Sequence, residues 1–581
     1  MKIIDGKTIS PGYAHGRAEI LGAEQQDLSK RKIHEDKIDT ELARFHSALD
    51  ASYRDLKQLQ ARVEAELGTE SAGIFSAHLL FLEDRQFIDR VEACVRNDRI
   101  CLESSIQVTI DELTRLLKEV DNAYLRERAA DLRDLQRRLL RHIAPRASEQ
   151  LAMIAPESIL VARELLPSDL LEFDREHLIG IITETGGETG HAAILARALN
   201  IPAVTGIIDA TRLIKPDMPV LVDGQTGEVV LEPAPEQLQT AMINKQNYDR
   251  ISKNAADTEG SECVTLDGVK VKLCANIGRP FEVTEVSAHH LEGVGLFRTE
   301  YLFLDEPFKP SFERQREIYT RLAASLKNLP VVIRTLDLGG DKWPAFLKPR
   351  FEANPNLGVR GLRFSLLAAE QLFRDQVRAM LHTAKEHDVQ IMLPMVLGRA
   401  DLVHAKSIIQ DTADKDGISN LPPIGALIET PSAVFAIEEI LAVSDFISIG
   451  TNDLTQFMLA ADRNALAMID DYTILHPSVL RAVHRVIEAA DAADKPVAVC
   501  GEAAADPRVA CLLIGLGVRR LSMSPVSAAR VRYAVRACRQ DALASLAQKA
   551  LHSDSAQTVS TLVSDTLRNT YPELLSATVS V

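Results

Sequence analysis

The sequence has few cysteines, few aromatic residues and no long apolar run. Its seven cysteines among 581 residues are scattered, and none of them belongs to a CxxC pair. This pattern argues against a disulfide framework and against a zinc site, and it indicates reduced thiols in the cytoplasm. No uninterrupted apolar stretch reaches the roughly 18 residues of a membrane span, and the first residues turn polar at once. We therefore expect a cytoplasmic protein without a membrane segment.

The chain also has fewer basic than acidic residues. The chain has 66 Lys and Arg residues against 82 Asp and Glu residues, a net charge of -16. This balance argues against a general nucleic-acid binder and against an anionic-membrane binder, and it would suit a basic protein partner. The length predicts three or four domains with ample core.

Changes of pattern along the chain predict its domains. Residues 27–144 are charged and free of proline, and apolar residues recur at helical spacing, which predicts a bundle of about four helices. Short apolar runs in residues 1–26 and 145–232 predict one α/β domain into which the bundle is inserted. Residues 233–260 predict a helical linker, with a fixed packing helix as the alternative.

Residues 261–581 alternate apolar strands with amphipathic helices. Eight βα units in about 300 residues predict a TIM barrel. The strand candidates are Val269–Ala275, Val294–Phe297, Val331–Thr335, Ile391–Met395, Ile424–Ile428, Phe446–Ile449, Val497–Val499 and Arg520–Met523.

A glycine-rich turn before His191 is the most informative local feature. The apolar run Leu178–Ile182 leads into this turn, and His191 stands where an Ala/Leu-rich helix begins. Glycines allow close approach of a ligand, and the N–H groups of a helix start favour a phosphate. A histidine placed here is well sited to carry a phosphoryl group. The alternative is a turn whose histidine merely caps or packs.

The ends of the predicted barrel strands collect polar side chains. A barrel of this kind builds its active site at the carboxyl ends of its strands. Those ends and the loops after them contain Asn276, Arg298, Arg334, Asp337, Glu429, Asn452, Asp453, Arg463, Cys500, Glu502 and Ser524. The arginines suit a small, multiply anionic substrate, two carboxylates suit Mg²⁺, and a thiol could deliver a proton. Salt bridges and a small buried cysteine are the alternatives, and Asp337 and Glu502 are expected to support neighbours.

Ordered motifs over nearly the whole chain resemble one known family. They are Ser10-Pro11-Gly12, 124–131, Gly186 to Arg197, 293–300, 334–342, Glu429-Thr430-Pro431, 448–456 and Cys500-Gly501-Glu502. With these motifs the sequence resembles Enzyme I of the bacterial phosphoenolpyruvate-dependent sugar phosphotransferase system. The resemblance implies an enzyme, a phosphoenolpyruvate-protein phosphotransferase that catalyses the first step of that system.

The resemblance also implies how the substrate is bound. Phosphoenolpyruvate would bind with Mg²⁺ at the barrel mouth, and Glu429 and Asp453 would hold the metal. The residues implied to contact the substrate are Arg298, Arg334, Asn452, Asp453 and Arg463. Asn354 and Arg360 are weaker candidates for the same mouth. Lys342 could contact either the substrate or the solvent.

The chemistry implied by the resemblance runs through one histidine. His191 would attack phosphorus through Nε2 and keep the phosphoryl group, and Cys500 would protonate the leaving enolate to pyruvate. The linker would then swing His191 between donor and acceptor. The implied acceptor is a histidine of an HPr-type phosphocarrier protein docked on the helical bundle, where Glu70, His78 and Asp84 fall. The resemblance further implies a homodimer through the barrel.

The sequence departs from the family's pattern around His191. The family has Arg-Thr-Ser-His-Thr, whereas this chain has Glu188, Gly190 and Ala192 in the corresponding places, and Leu166 replaces a threonine whose hydroxyl bonds the histidine ring. A histidine's second nitrogen partner decides which nitrogen reacts. The bundle is also less acidic than usual around residues 73–76. These departures put the identity of the acceptor in doubt.

Two rival functions remain open. A pyruvate phosphate dikinase or phosphoenolpyruvate synthase would need a nucleotide-grasp domain, but only about 150 helical residues precede the histidine domain and they have no glycine-rich ATP loop. A regulatory, phosphoenolpyruvate-sensing paralogue with a different acceptor would explain the altered surroundings of His191. The intact set of barrel residues argues against an inactive enzyme.

Overall fold

The computed structural model describes residues 2–21, 31–119, 123–143, 155–165, 177–186, 191–199, 201–258, 260–304, 308–339, 343–344, 346–347, 352, 354–461 and 472–570. The chain divides into two compact units, one over Met1–Tyr248 and the other over Asp249–Ser576. The predicted fold class is confirmed: an α/β domain with an inserted helical bundle is followed by a closed parallel barrel. The exact domain bounds given above stay predictions.

An eight-stranded sheet forms the α/β part of the first unit, in the order β1-β8-β7-β3-β4-β5-β6-β2. Its strands are β1 (Lys2–Asp5), β2 (Lys7–Ser10), β3 (Tyr13–Leu21), β4 (Ser158–Ala162), β5 (Leu178–Thr183), β6 (Ala203–Thr205), β7 (Pro219–Asp223) and β8 (Glu228–Leu231). The pairs β3–β4, β4–β5 and β5–β6 are parallel. Strands β3 and β4 are therefore neighbours in the sheet although the whole bundle separates them in sequence.

The bundle consists of α1 (Ile38–Leu82), α2 (Arg85–Arg96), α3 (Leu102–Glu119) and α4 (Ala123–Ile143). Its apolar residues recur every three or four positions and so form one buried face on each helix. Phe45, Phe75 and Phe87 are fully buried, and they share a core cluster with Ile181 of β5 and with Leu195. The bundle thus packs on one face of the sheet.

Among the described residues, this part of the chain also contains helices α5 (His191–Ala198), α6 (Ala210–Leu213) and α7 (Pro235–Asp257). Helix α7 begins with a proline, whose fixed φ suits a first turn and whose missing N–H would have had no helical partner. The region predicted as a helical linker is therefore helical, and its function as a linker stays a prediction.

The barrel consists of eight strands in a closed ring, each parallel to its neighbours. They are β9 (Lys272–Ile277), β10 (Val294–Phe297), β11 (Val331–Arg334), β12 (Val389–Leu393), β13 (Ile424–Ile428), β14 (Ile447–Ile449), β15 (Val497–Val499) and β16 (Arg520–Met523). Four of these have the predicted bounds. Strand β12 ends before the predicted Met395, because that residue adopts a left-handed φ of 52° and cannot continue an extended strand.

The helices around the barrel are α8 (Val283–Ala288), α9 (Tyr301–Leu304), α10 (Phe312–Ser325), α11 (Gly361–Leu367), α12 (Glu370–Ala384), α13 (Arg399–Lys415), α14 (Pro431–Phe435), α15 (Ile437–Leu441), α16 (Thr451–Leu459), α17 (Pro477–Ala492), α18 (Pro507–Gly515), α19 (Ala528–Ala537), α20 (Gln540–Leu551) and α21 (Ala556–Thr570). A separate apolar cluster contains Leu296, Val332, Leu427 and Cys500, all in or next to barrel strands. Among the residues that the structure describes, none of the helices combines the length and the hydropathy needed to cross a membrane.

Candidate active site

The candidate active site lies where the barrel strands end. Arg334 is the last residue of β11, and Glu429 directly follows β13. Asn452 and Asp453 lie in the first turn of α16, which begins two residues after β14, and Cys500 directly follows β15. Arg298 directly follows β10. Because the carboxyl ends of parallel strands meet on one side of a barrel, these residues lie around one mouth.

Buried ion pairs connect several of these ends. Arg334 donates from Nη2 to Glu300 Oε1 at 3.0 Å and lies with Nη1 3.4 Å from Asp337 Oδ2. Arg360 donates to both oxygens of Asp337 at 3.1 Å and to both oxygens of Asp453 at 3.0 and 3.1 Å. All five side chains are less than a tenth exposed. Burial favours the neutral form of each guanidinium, but the surrounding carboxylates outweigh it and raise the pKa of Arg334 and of Arg360 above the usual value.

Glu429 is buried at the centre of this mouth. Its Oε2 accepts a hydrogen bond from the backbone N–H of Met395 at 2.9 Å. Burial, and after it the negative charges of Asp453 and Asp337, raise the pKa of Glu429 to about 8. A glycine is needed beside it, since a Cβ on Gly450 would lie 2.6 Å from Glu429 Oε1. Glu429 is thus a carboxylate whose charge the protein alone does not fully compensate.

The charge balance of the mouth suits a divalent cation. Four buried carboxylates (Glu300, Asp337, Glu429 and Asp453) surround two buried guanidinium groups (Arg334 and Arg360), an excess of two negative charges when all are ionised. Among the described residues, no three His, Cys, Asp or Glu side chains converge closely enough to hold a metal by themselves. Mg²⁺ commonly takes only one or two protein carboxylates and completes its shell with water and substrate oxygens. Glu429 and Asp453 therefore fit the predicted magnesium site.

Arg298 lies at the open side of the mouth. Its side chain is 32% exposed, and its nearest acidic partner is Glu502 at 3.7 Å, itself 72% exposed. Asn452 Oδ1 accepts a hydrogen bond from the Glu502 backbone N–H at 3.3 Å. Unlike Arg334, Arg298 therefore makes a loose, solvent-exposed ion pair that an anionic ligand could replace.

The Cys500 thiol is 3% exposed and belongs to the apolar cluster among the barrel strands. Burial raises its pKa to about 11. A thiol with this pKa keeps its proton at neutral pH, which suits a proton donor and does not suit a nucleophile.

Two other predicted residues, Asn276 and Asn354, differ in how the protein holds them. Asn276 donates from Nδ2 to the carbonyls of Cys500 and Ser522 at 2.8 and 3.2 Å, so its amide braces neighbouring strands. Asn354 is exposed, and its backbone carbonyl accepts a hydrogen bond from the Leu357 N–H at 3.0 Å. Of the two weaker candidates in that segment, Arg360 joins the buried network and Asn354 does not.

The structure describes His191 through its backbone. Helix α5 begins at this residue, as predicted, and strand β5 precedes the glycine-rich turn. Residues 187–190, the side chains of His191 and Ala192, and the predicted residues Leu166, Lys342 and Arg463 lie outside the described parts. The assignment of His191 and Arg463 as functional residues stays a prediction.

The expected position of His78 on an exposed docking face is wrong. Its ring is 3% exposed, lies 3.8 Å from the Asp134 carboxylate and contacts the ring of Phe75. Helix α1 continues without a break to Leu82, which places His78 on the face shared by Phe75 and Leu82. Asp84 is exposed and caps α2 by accepting from the Gln86 N–H at 2.8 Å, so its docking function stays a prediction, while the Glu70 side chain lies outside the described parts.

Two contributors to the mouth were missed from the sequence. Glu300 comes three residues after β10 and binds Arg334, so a wider search of the strand ends would have found it. The Met395 N–H reaches Glu429 because of a left-handed backbone, for which the sequence has no signal.

Comparison with known protein families covers most of the chain. Residues 5–128 match the family described as PEP-utilising enzyme, N-terminal, and residues 154–227 match PEP-utilising enzyme, mobile domain. Residues 252–540 match PEP-utilising enzyme, PEP-binding domain.

Two relatives align with this chain over nearly their full length. The chain is 35% identical over 567 residues to the phosphoenolpyruvate-protein phosphotransferase of Listeria monocytogenes, an alignment that covers 97% of this chain and 99% of the relative. It is 34% identical over 570 residues to the protein of the same name from Haemophilus influenzae, with the same coverage.

Proposed function

The chain belongs to the phosphoenolpyruvate-protein phosphotransferase family, and we propose that it transfers the phosphoryl group of phosphoenolpyruvate to His191 and then to a histidine of an HPr-type phosphocarrier. The observation that best supports this proposal is the convergence of cationic, acidic, amide and thiol side chains on one barrel mouth. Phosphoryl transfer requires mainly positioning and charge compensation from the protein. This mouth offers both.

Substrate binding is assigned to the cations and the amide of the mouth. Arg334 has two buried carboxylate neighbours that hold its guanidinium in place, and it would present its charge to the phosphate. Arg298 would release Glu502, with which it makes a loose ion pair, and bind the same phosphate. Arg463 would add a third cation, and Asn452 would orient the substrate. Fixed guanidinium groups favour phosphate oxygens because their paired N–H groups match them.

Glu429 and Asp453 would hold Mg²⁺. When bound, this cation would neutralise substrate oxygens and stabilise the charge that develops on them. The protein's own contribution is to keep two carboxylates together despite their repulsion. The Met395 N–H binds Glu429, and the Arg360 guanidinium binds Asp453.

In the first half-reaction, Nε2 of His191 forms a bond to phosphorus while the bond from phosphorus to the enol oxygen breaks. The electron pair of the broken bond stays on the enolate, and the Cys500 thiol gives its proton to the enolate carbon, so that pyruvate leaves. Solvent then returns a proton to Cys500. In the second half-reaction the carrier's histidine attacks phosphorus, and the bond to His191 breaks.

The acceptor and the assembly are finer parts of this proposal. A different acceptor, as in a regulatory paralogue, is favoured by the departures at Leu166, Glu188, Gly190 and Ala192. The homodimer through the barrel, implied by the family resemblance, stays a prediction that sedimentation velocity would test.

The proposed function is tested by labelling with phosphoenolpyruvate that contains radioactive phosphorus. With Mg²⁺ the wild-type chain should acquire an acid-labile, base-stable label, and an HPr-type carrier added afterwards should remove it. His191→Ala should acquire no label, whereas His15→Ala, which changes an exposed histidine of β3, should label normally. Label that persists in His191→Ala, or that never forms on the wild-type chain, would refute the enzyme assignment.

A label that forms on His191 but passes only to other carriers would replace the HPr-type acceptor and keep the first half-reaction. Arg463→Ala separates the two halves further. It should lose labelling by phosphoenolpyruvate and keep back-transfer from a phosphorylated carrier.

A further inference from the structure

The turn that follows β11 is held by three buried side chains from outside it. Thr299 Oγ1 donates to the Arg334 carbonyl at 2.9 Å, and Glu300 Oε1 accepts from the Asp337 N–H at 3.0 Å. Between them, Gln376 Oε1 accepts from the Leu336 N–H at 2.9 Å. The backbone that presents Arg334 and Asp337 is thus fixed by three side-chain hydrogen bonds over four residues.

Gln376 connects two of these supports. It lies on α12 and its side chain is fully buried. Besides accepting from Leu336, it donates from Nε2 to Thr299 Oγ1 at 3.0 Å and to the Tyr319 hydroxyl at 3.3 Å. Both amide hydrogens and the carbonyl are therefore used, which leaves this side chain one orientation.

The chain of bonds continues away from the mouth. The Tyr319 hydroxyl donates to Gln315 Oε1 at 3.4 Å, and Gln315 Nε2 donates to the Pro310 carbonyl at 3.2 Å. Tyr319 and Gln315 are fully buried on α10. The Gln376 amide is therefore bonded both to the β11 turn and, through Tyr319, to the outer helices.

We infer that Gln376 is a positioning residue for phosphoenolpyruvate turnover: it sets the β11 turn so that Arg334 and Asp337 point correctly into the mouth. The inference rests on the proposed function of the barrel. Arg334 is the proposed phosphate ligand, and Asp337 holds Arg360, which in turn holds Asp453. Movement of one turn would therefore displace a substrate cation and a metal ligand together.

The polar chemistry of Gln376 is what this function needs. A methionine would fill a similar volume, but it would leave the buried Leu336 N–H without its acceptor and Thr299 without its donor. A buried polar group that loses its partner pays its full desolvation penalty, so the turn would shift to seek another partner. A displacement of about 1 Å in a catalytic group lowers turnover by up to about 100-fold.

The test compares Gln376→Met with Thr383→Val on the same helix. Thr383 is also buried, and its hydroxyl bonds Ala379 and Thr320, away from the β11 turn. Both variants should lose stability in urea unfolding. Gln376→Met should also lower kcat/KM for phosphoenolpyruvate by about 10- to 100-fold and leave phosphoryl back-transfer from the carrier to His191 unchanged. Thr383→Val should change neither half-reaction.

Two further variants keep the inference falsifiable if Gln376→Met fails to fold. Thr299→Val removes the bond to the Arg334 carbonyl and should show the same split between the two half-reactions. Tyr319→Phe removes the hydroxyl's bonds to Gln376 and Gln315 but leaves the bonds of Gln376 to Leu336 and Thr299, so it should retain most of the turnover. If the wild-type chain turns over phosphoenolpyruvate and either Thr299→Val or Gln376→Met keeps the full kcat/KM, the inference is overturned. A wild-type chain that never takes phosphate from phosphoenolpyruvate would instead overturn the proposed function.

Discussion

Arg360 binds both carboxylate oxygens of Asp453, with N–O distances of 3.0 and 3.1 Å. The same guanidinium also binds both oxygens of Asp337 at 3.1 Å. One buried cation therefore connects the loop after β11 to the first turn of α16. Asp453, a proposed metal ligand, is oriented by the protein itself.

Arg360→Met should lower the free energy of unfolding by about 3–5 kcal/mol, because buried Asp453 loses its cation and buried Asp337 loses one guanidinium partner, keeping Arg334 at 3.4 Å. Added Mg²⁺ should restore part of this loss by binding to the folded state. Urea unfolding with and without Mg²⁺ measures both effects. Arg363→Met is the matched control, since Arg363 donates to the carbonyls of Leu357 and Gly358 and, among the described residues, pairs with no carboxylate. Equal stability of the two variants would contradict the bridging function of Arg360.

Asp453→Asn and Glu429→Gln should each weaken binding of Mn²⁺, used as a spectroscopic substitute for Mg²⁺. Each change removes one of the two proposed carboxylate ligands, and the loss of a ligand should weaken affinity by about 10-fold or more. Electron paramagnetic resonance of free Mn²⁺ gives the affinity without any turnover. Glu438→Gln removes an exposed acid that binds Arg485 and should bind Mn²⁺ normally. Unchanged affinity in both mouth variants would place the metal elsewhere.

Gly450→Ala should disturb the mouth with little effect on the rest of the barrel. The new Cβ would lie 2.6 Å from Glu429 Oε1, so the carboxylate would have to move. We expect a loss of about 1–3 kcal/mol from overpacking and a weaker Mn²⁺ complex. Gly398→Ala is a suitable control because its nearest neighbour would be 4.0 Å away. Wild-type Mn²⁺ affinity in Gly450→Ala would show that Glu429 needs no fixed position.

Cys500 should react slowly with iodoacetamide near neutral pH. Its folded pKa of about 11 lies above the ordinary value of 9.0, so the reactive thiolate is scarce. The alkylation rate should rise about tenfold per pH unit until the pH approaches the pKa. In the unfolded chain this thiol loses its proton at a lower pH than in the folded chain. It therefore lowers the free energy of unfolding as the pH rises from 9.0 towards 11. Peptide mass spectrometry after timed alkylation follows the rate, and a rate that levels off near pH 8 would contradict the raised pKa.

The architecture was predictable because its signals are local. Apolar runs of strand length, separated by amphipathic stretches, mark the barrel strands, and those of Val294–Phe297 and Ile424–Ile428 were located without error. Strand ends then indicated Arg334, Glu429 and Asp453 as neighbours, because parallel strands bring their carboxyl ends together.

The parts that were not predicted depend on contacts between distant segments. His78 has the polarity of a surface residue, yet the continuous α1 helix places its ring in the core. Met395 contributes its backbone N–H, and any residue type has one. Arg360 bridges Asp337 and Asp453, which lie far apart in sequence, and no local pattern indicates that bridge. Such relationships require the fold.

In the proposed reaction, the barrel mouth passes the phosphoryl group of phosphoenolpyruvate to His191. A single-turnover reaction tests it directly, with pyruvate measured by coupled oxidation of NADH and phosphohistidine located by mass spectrometry at neutral pH. One pyruvate should be released for each phosphoryl group found on His191, and His191→Ala should give neither product. Pyruvate released without phosphorylation of His191, or a phosphohistidine at another position, would contradict it.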